Sequence, residues 1–337
     1  MTHNEKTSHN QMHRFCIAPM MDWTDRHCRA LHRALTRRAL LYTEMVTAEA
    51  VIRGDRARLI GFSEIEHPVA LQLGGAEPDR LAEAARIGAD SGYDEINLNV
   101  GCPSDRVQSG KFGACLMREP ALVAACVAAM GAAAKAPVTV KCRIGVDEQE
   151  PEKALFALAD AVAGAGVKTL IVHARKAWLD GLSPKQNRDV PPLDYALVRR
   201  LKAERPKLEI ILNGGLRDLD HARAESIGLD GVMLGRAAYQ TPGILLAADP
   251  AFFGAPAPAQ SERDAVLSYL PYIEARLAEG APLNAMTRHM LGLFHGQRGA
   301  RTWRRILSEN VHKTGADVSL VREALDSVEA REIASAA

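Results

Sequence analysis

Short apolar runs recur through the first 235 residues of the chain, and between them lie longer stretches in which Ala and Leu alternate with spaced charges. Eight such runs stand at 15–19, 41–45, 69–73, 94–99, 138–141, 170–173, 209–213 and 231–235. Each is short, and bounded closely enough by turn residues, to predict a buried strand. The stretches at 78–89, 120–134, 152–163 and 219–226 are built from good helix formers. Strand and helix in alternation predict parallel β/α units, and eight units over roughly 250 residues make up a closed barrel. The expected fold class is therefore α/β, a (β/α)8 TIM barrel. An open doubly wound sheet is the alternative, but its G-x-G-x-x-G fingerprint is missing after the first run.

After Tyr239 the pattern changes. Pro242, Pro250, Pro256 and Pro258 punctuate a small-residue stretch that reads as a linker, and from Ser261 onward only helical periodicity remains. Ser261 with Asp264, Ala265, Leu267 and Leu270 predicts a capped helix start, and 282–294 and 300–307 predict later helices. The expected organisation is a polar, frayed tail over 1–12, a barrel over 13–245 and a C-terminal all-helical domain over 260–337. The tail lacks the apolar core of a signal peptide, and no segment is apolar enough to span a membrane. Between the sixth strand and its helix, residues 175–193 are polar and carry Pro184, Pro191 and Pro192, which predicts an elaborated loop over the barrel mouth.

Composition changes this picture little. A hydrophobic share of 47% is ordinary for a globular chain that needs no covalent staples. Cys16, Cys28, Cys102, Cys115, Cys126 and Cys142 are scattered, with no Cys-x-x-Cys pair and no His pair at metal-ligand spacing. They read as reduced thiols of a cytoplasmic protein, and no metal site is expected. The 42 basic and 41 acidic residues nearly cancel, so global charge gives no sign of a nucleic-acid partner. Local charge does, because between 285 and 313 the residues Arg288, Arg298, Arg301, Arg304, Arg305 and Lys313 stand against a single acid, Glu309. Such a stripe reads as a nucleic-acid face or as a solvated helix surface.

Polar residues gather at the ends of the predicted strands: Gln72, Asn99, Lys141, His173 and Asn213. In a barrel these ends converge on one mouth, where active-site groups collect. Asn99-Val100-Gly101-Cys102-Pro103 is the most informative stretch. Gly101 would turn the backbone and Pro103 would end pairing, so Cys102 should project into a loop; the alternative is a small buried hydrophobe. Gly214-Gly215 after the seventh run and Gly235-Arg236 after the eighth offer bare N–H groups and a guanidinium where such barrels bind phosphate. A phosphorylated ligand is expected. Lys141 reads as a Schiff-base lysine, an ion-pair partner or a cation beside an electron-rich ring. Gln72 suits a pyrimidine-like ring edge or a loop brace, and His173 a proton carrier, a phosphate ligand or a packed strand-end residue.

In order and spacing, Ala18-Pro19-Met20, Gln72-Leu73-Gly74-Gly75, Asn99-Val100-Gly101-Cys102-Pro103, Lys141-Cys142-Arg143-Ile144-Gly145, His173-Ala174-Arg175, Asn213-Gly214-Gly215 and Leu234-Gly235-Arg236 resemble the motifs of the tRNA-dihydrouridine synthases. The stretches 105–117, 174–179 and 181–185, with Leu293-Phe294-His295-Gly296, are similar to the bacterial A-type subfamily. This resemblance implies an FMN-binding barrel with an appended helical domain, in agreement with the pattern above. It implies that Pro19, Met20, Gln72, Lys141, His173, Asn213, Gly214, Gly215, Gly235 and Arg236 bind FMN, the last few at its phosphate. Asn99 would face the substrate base and Cys102 would be the catalytic acid. Lys111 stands where the subfamily often has Arg, which keeps the charge but not planar stacking.

The reaction so implied is reduction of the C5–C6 double bond of D-loop uridines, by subfamily at positions 20 and 20a of tRNA. Hydride would pass from the reduced flavin to C6, Cys102 would protonate C5, and NADPH would re-reduce the flavin. Lys141 would stabilise negative charge on the reduced ring. The uridine must leave its loop to reach the ring. Lys111, Arg143, Arg175 and Lys176 at the mouth, and Arg298, Arg301 and Arg304 with Trp303 for stacking, are the expected tRNA contacts. The loop 106–113 is expected to cover Cys102, and the enzyme to be a monomer. Competing readings are a flavin dehydrogenase of a free pyrimidine, similar to the dihydroorotate dehydrogenases, a non-catalytic RNA-binding barrel, and an aldolase built on Lys141.

Overall fold

The computed structural model describes residues 12–104, 110–313 and 315–328. The expected tail, apart from Met12, and the segment 105–109 of the loop near Cys102 lie outside the described residues.

The strands are β1 (Phe15–Ile17), β2 (Leu40–Tyr42), β3 (Val46–Thr47), β4 (Val69–Gly74), β5 (Glu95–Val100), β6 (Val138–Arg143), β7 (Thr169–His173), β8 (Glu209–Asn213) and β9 (Gly231–Leu234). All pair in parallel, in the order β2-β1-β9-β8-β7-β6-β5-β4-β3, and a β2–β4 pairing closes the ring. The result is an eight-position barrel in which the second position is shared by β2 and β3. One continuous strand over 41–45 is expected there, and the observed break has a local cause. The step from Tyr42 to Val46 is one residue longer than the step from Ala70 to Leu73 that it faces, so a bulge must form. Thr43 bridges it, its Oγ1 accepting the Gln72 N–H at 3.0 Å in place of a backbone carbonyl.

The barrel interior is filled by Cys16, Ala18, Leu40, Tyr42, Ala70, Ile171, Ile211 and Met233, all buried. Burying a large side chain among these contributes on the order of 1.5–3 kcal/mol. Outside, the helices Pro78–Asp90, Pro120–Ala133 and Pro151–Gly164 fall where Ala and Leu predict them. Each begins with proline at its first turn, where a missing N–H costs nothing. The Pro78–Asp90 helix packs so closely on the sheet that a Cβ at Gly88 would lie 2.6 Å from Leu71 Cδ2.

Two compact units make up the chain: residues through Thr24 with Arg38–Gly235, and Asp25–Arg37 with the segment from Arg236 onward. The division thus differs from the expected boundary at 245. Helix Arg26–Leu35, the first after β1, belongs to the helical unit, where Asp25 caps it by accepting the His27 and Cys28 N–H groups. The stretch expected as a linker is also part of that unit. It forms a 3-10 helix over Pro242–Ala247 and a π-helix over Asp249–Phe253, and buried Asp249 accepts the Thr36 hydroxyl at 2.5 Å and the Arg37 N–H at 2.7 Å. Ser261 caps helix Glu262–Ala278 as its sequence predicts.

The segment expected as one helix over 282–294 is instead fractured into Leu283–Thr287 and a 3-10 turn Arg288–Met290, with Phe294 at φ +60°. Helix Ala300–Glu309 buries Ala300, Trp303, Ile306 and Leu307 and exposes Arg301, Arg304 and Arg305. Trp303 is therefore no stacking platform: it is fully buried, edge-on to Phe294, and donates Nε1–H to the Met290 carbonyl at 3.0 Å. Among the described residues no helix is long and apolar enough to cross a membrane.

Candidate active site at the carboxyl ends of the strands

Strand register sets the site. Gln72 faces Asn97, Asn99 faces Lys141, and His173 is flanked by Arg143 and Asn213. The polar strand-end residues are thus cross-strand neighbours around one rim.

Cys102 lies half-buried just beyond β5, in the loop where its sequence places it. Its N–H, at 2.9 Å, and that of Gly101, at 3.1 Å, both donate to Asn99 Oδ1, and its carbonyl accepts the Ala114 N–H. The thiol sits 3.4 Å from the Ser104 hydroxyl. Gly101 is needed for close approach more than for turning: a Cβ there would lie 3.3 Å from the Cys142 carbonyl carbon. Asn99, expected to face a substrate, has its oxygen on those two N–H groups and its Nδ2 on Gln72 Oε1 at 2.8 Å.

Lys141 donates to Asn213 Oδ1 at 3.1 Å, and Asn213 in turn donates to the Met233 carbonyl at 2.7 Å. Burial, reinforced by Arg143, lowers the Lys141 pKa to about 8. No carboxylate among the described residues pairs with it, so its charge is left for an anionic or electron-rich group. Cys102 is within electrostatic reach of both Lys141 and Arg143.

Arg143 departs from its expected role. Rather than reaching out to tRNA it is 4% exposed, and its guanidinium binds the carbonyls of Gly101 at 3.2 Å, Lys176 at 3.1 Å and Asn187 at 2.8 Å. Desolvation lowers its pKa to about 10. It braces the Cys102 loop against the long loop after β7. That loop is organised by buried Asn187, whose side chain bonds the backbone of Trp178, Leu182 and Ser183. Arg175 donates to the Pro191 carbonyl, and the Lys176 ammonium lies over the Trp178 ring at 5.2 Å. Lys111 is exposed, at φ +55°.

The Gly214-Gly215 turn runs at φ +108° and +69°, backbone that side chains avoid, and is crowded as well. A Cβ at Gly214 would lie 3.2 Å from the His173 ring, and one at Gly215 would lie 2.4 Å from Leu193 Cδ1. Tyr195 holds the turn from outside, donating its hydroxyl to the Gly214 carbonyl at 2.6 Å. Gly235 lies beside Ala18 and Met20, which brings the ends of β9 and β1 together. Arg236 opens helix Arg236–Gln240 and falls in the helical unit.

Sequence reasoning missed Thr43, Asn97, Thr139, Asn187 and Tyr195, none of which sits in a conspicuous motif. For Asn97 a signal was present, since Glu95, Asn97 and Asn99 alternate within an otherwise apolar strand and so share its inner face. Among the described residues no group of three or more His, Cys, Asp or Glu is placed to hold a metal ion.

Residues 16–329 match the family model for dihydrouridine synthase (Dus). The chain is similar to proteins named tRNA-dihydrouridine(20/20a) synthase: that of Xanthomonas axonopodis pv. citri at 58% identity, covering 94% of this chain and 95% of the relative, and that of Escherichia coli K12 at 54%, covering 96% and 94%. A solved structure of an old yellow enzyme homologue from Zymomonas mobilis is similar at 14% identity and a TM-score of 0.49, over 72% of this chain and 89% of that one, a likeness too slight to bear on function. With a family match over nearly its whole length and relatives this close, the chain belongs to the dihydrouridine synthase family.

Proposed function

We propose that this protein reduces uridines of tRNA to dihydrouridine, with FMN as its bound flavin and NADPH as the source of electrons. The observation that carries the reading is a loop thiol, Cys102, within electrostatic reach of a desolvated ammonium, Lys141, that has no carboxylate partner among the described residues. The crowded Gly214-Gly215 turn, which excludes side chains, adds a backbone cradle of the kind that takes a phosphate.

FMN, when bound, would supply the hydride. Lys141, steadied by Asn213 and mostly protonated at neutral pH, would hold its charge beside the electron-rich ring. Gln72, Pro19 and Met20 would border that ring, and His173, Gly214, Gly215, Gly235 and Arg236 would hold the phosphate. Cys102 then gives its proton to C5 of the uracil, with Asn99 holding the loop that carries the thiol. Arg143 serves the site by bracing this loop instead of by touching RNA.

The names of the relatives specify positions 20 and 20a, which supports D-loop uridines as the targets. Lys111, Arg175 and Lys176 beside the mouth and Arg298, Arg301 and Arg304 of the helical unit are the phosphate contacts of this reading. The enzyme works as a monomer in the cytoplasm.

An anaerobic single turnover tests the proposal. NADPH-reduced protein is mixed with unmodified tRNA or with free uridine, and flavin absorbance and dihydrouridine are followed together. The expected outcome is flavin oxidation with dihydrouridine formed on tRNA alone, and loss of product in Cys102→Ala. Turnover of a free pyrimidine would overturn the tRNA assignment.

A further inference from the structure

Inside the barrel a line of hydrogen-bonded side chains runs from the amino ends of the strands to the Cys102 loop, and all its bonds point the same way. Glu95, at the start of β5, accepts the Tyr42 and Thr139 hydroxyls on Oε1, both at 2.6 Å. Because Thr139 donates its only proton to the carboxylate, it can only accept from its other neighbour, and Asn97 Nδ2 donates to it at 2.8 Å. Asn97 Oδ1 is left to accept Gln72 Nε2 at 2.7 Å. Gln72 Oε1 is left to accept Asn99 Nδ2 at 2.8 Å, and Asn99 Oδ1 to accept the N–H groups of Gly101 and Cys102.

We infer that Glu95 and Thr139 are positioning residues for Cys102: an acceptor-only carboxylate at the barrel base dictates the orientation of three amides and so the face that Asn99 turns to the thiol loop. An amide that turned over anywhere along the line would set donor against donor. At the top, Asn99 would then present Nδ2 to two backbone N–H groups, and the loop would lose the two hydrogen bonds by which Asn99 holds it. Glu95, Asn97 and Thr139 are 0–1% exposed, so water has no access to repair a mismatch. Glu95 is kept ionised by His13, whose Nε2 lies 2.6 Å away while its Nδ1 faces Glu209 at 3.1 Å. The same polarity fixes what the rim offers a ligand. Both lone pairs of the Asn99 oxygen are occupied, so Asn99 can only donate, through its second Nδ2 proton.

The positioning role rests on Cys102 as the proton donor of the proposed function, and its test has one arm independent of that reading. In flavin-free protein, the iodoacetamide alkylation rate of Cys102 is measured by peptide mass, with Cys115 as internal reference. Thr139→Val keeps the shape and cuts the line, Thr139→Ser keeps the hydroxyl, and Ile211→Val trims the same interior away from the line. Thr139→Val should change the Cys102 rate by about threefold or more, while Thr139→Ser and Ile211→Val stay near wild type. Thr139→Ala makes the same cut if Thr139→Val does not fold.

In single turnover, cutting the line should slow dihydrouridine formation on tRNA by about tenfold and leave flavin reduction by NADPH within about twofold. An unchanged Cys102 rate in both cutting variants, or an equal change in Ile211→Val, would overturn the inference. If wild type makes no dihydrouridine, the functional reading falls and the alkylation arm still decides the positioning role.

Discussion

The two ends of the barrel handle buried charge in opposite ways. At the base, His13 lies between Glu95 and Glu209, and Thr169 donates to Glu209 at 2.5 Å. At the mouth, Lys141 and Arg143 bond, among the described residues, to neutral oxygens only, of Asn213 and of three backbone carbonyls. Burial alone would strip His13 of its proton, but the two carboxylates outweigh it and raise its pKa to about 10. Desolvation, with no carboxylate among the described residues to outweigh it, lowers that of Lys141 to about 8. A charge enclosed by its counter-ions serves the fold, whereas one desolvated without them raises the energy of the ligand-free protein and returns that energy when an anion binds. The difference supports the mouth as the functional end proposed above, without reference to any motif.

The largest effect expected from this contrast is at the base. His13→Leu leaves Glu95 and Glu209 facing each other in the interior and should destabilise the protein by about 3–5 kcal/mol in denaturant titrations. A loss below about 1 kcal/mol would mean that the base is no tighter than the mouth. Lys141→Met should do the reverse. The flavin-free protein keeps or slightly gains stability as a desolvation cost disappears, while FMN affinity, read by fluorescence titration, falls about tenfold or more. Equal loss of stability in the two variants would remove the distinction between them.

Acidity sharpens the comparison, because the two groups titrate in opposite senses. His13 has its pKa raised on folding, so its contribution is complete below about 6.5 and is lost as pH climbs towards about 10. Lys141 has its pKa lowered, so its penalty is complete below about 8 and is relieved between there and about 10.5. Flavin-free protein should therefore lose stability from pH 7 to 8 and change little from 8 to 10, where the slopes oppose. In Lys141→Met the decline should continue to pH 10, and denaturation midpoints across this range check both slopes. A decline that stops at pH 8 in that variant as well would show that His13 is not the group responsible.

These two ends are not equally legible in the sequence. Gln72, Asn99, Lys141, His173 and Asn213 stand out because a polar residue closing an apolar run in a β/α repeat has few places to go except the mouth. The base does not stand out, because Glu95 and Asn97 lie inside a run whose buried character rests on Ile96 and Leu98, and His13 comes from the short segment before β1. Alternation of polar and apolar residues in that run carries the missing information: its inner face cannot be apolar. Trp303 shows the converse. Read as one aromatic among arginines it resembles a stacking platform, but Ala300, Trp303, Ile306 and Leu307 fall on one helical stripe, and that periodicity buries it. Arg143 is beyond sequence reasoning altogether, since its three partners are backbone carbonyls contributed by separate loops.

Arg301 and Arg304 of helix Ala300–Glu309 carry charge of a third kind, exposed to water, and they give the comparison its smallest expected effect. A solvated cation costs the fold nothing and attracts polyanions only through screened, long-range forces. Arg301→Glu with Arg304→Glu should therefore leave the thermal midpoint unchanged, in contrast to His13→Leu, and leave FMN affinity unchanged, in contrast to Lys141→Met. What should move is the salt dependence of tRNA binding. Each phosphate that the protein no longer neutralises lowers the slope of log affinity against log salt by about 0.7–0.9, so removing two cations should lower it by about 1.4–1.8. A slope equal to that of wild type would make this helix face an ordinary solvated surface and would place the RNA contacts of the helical unit on other residues.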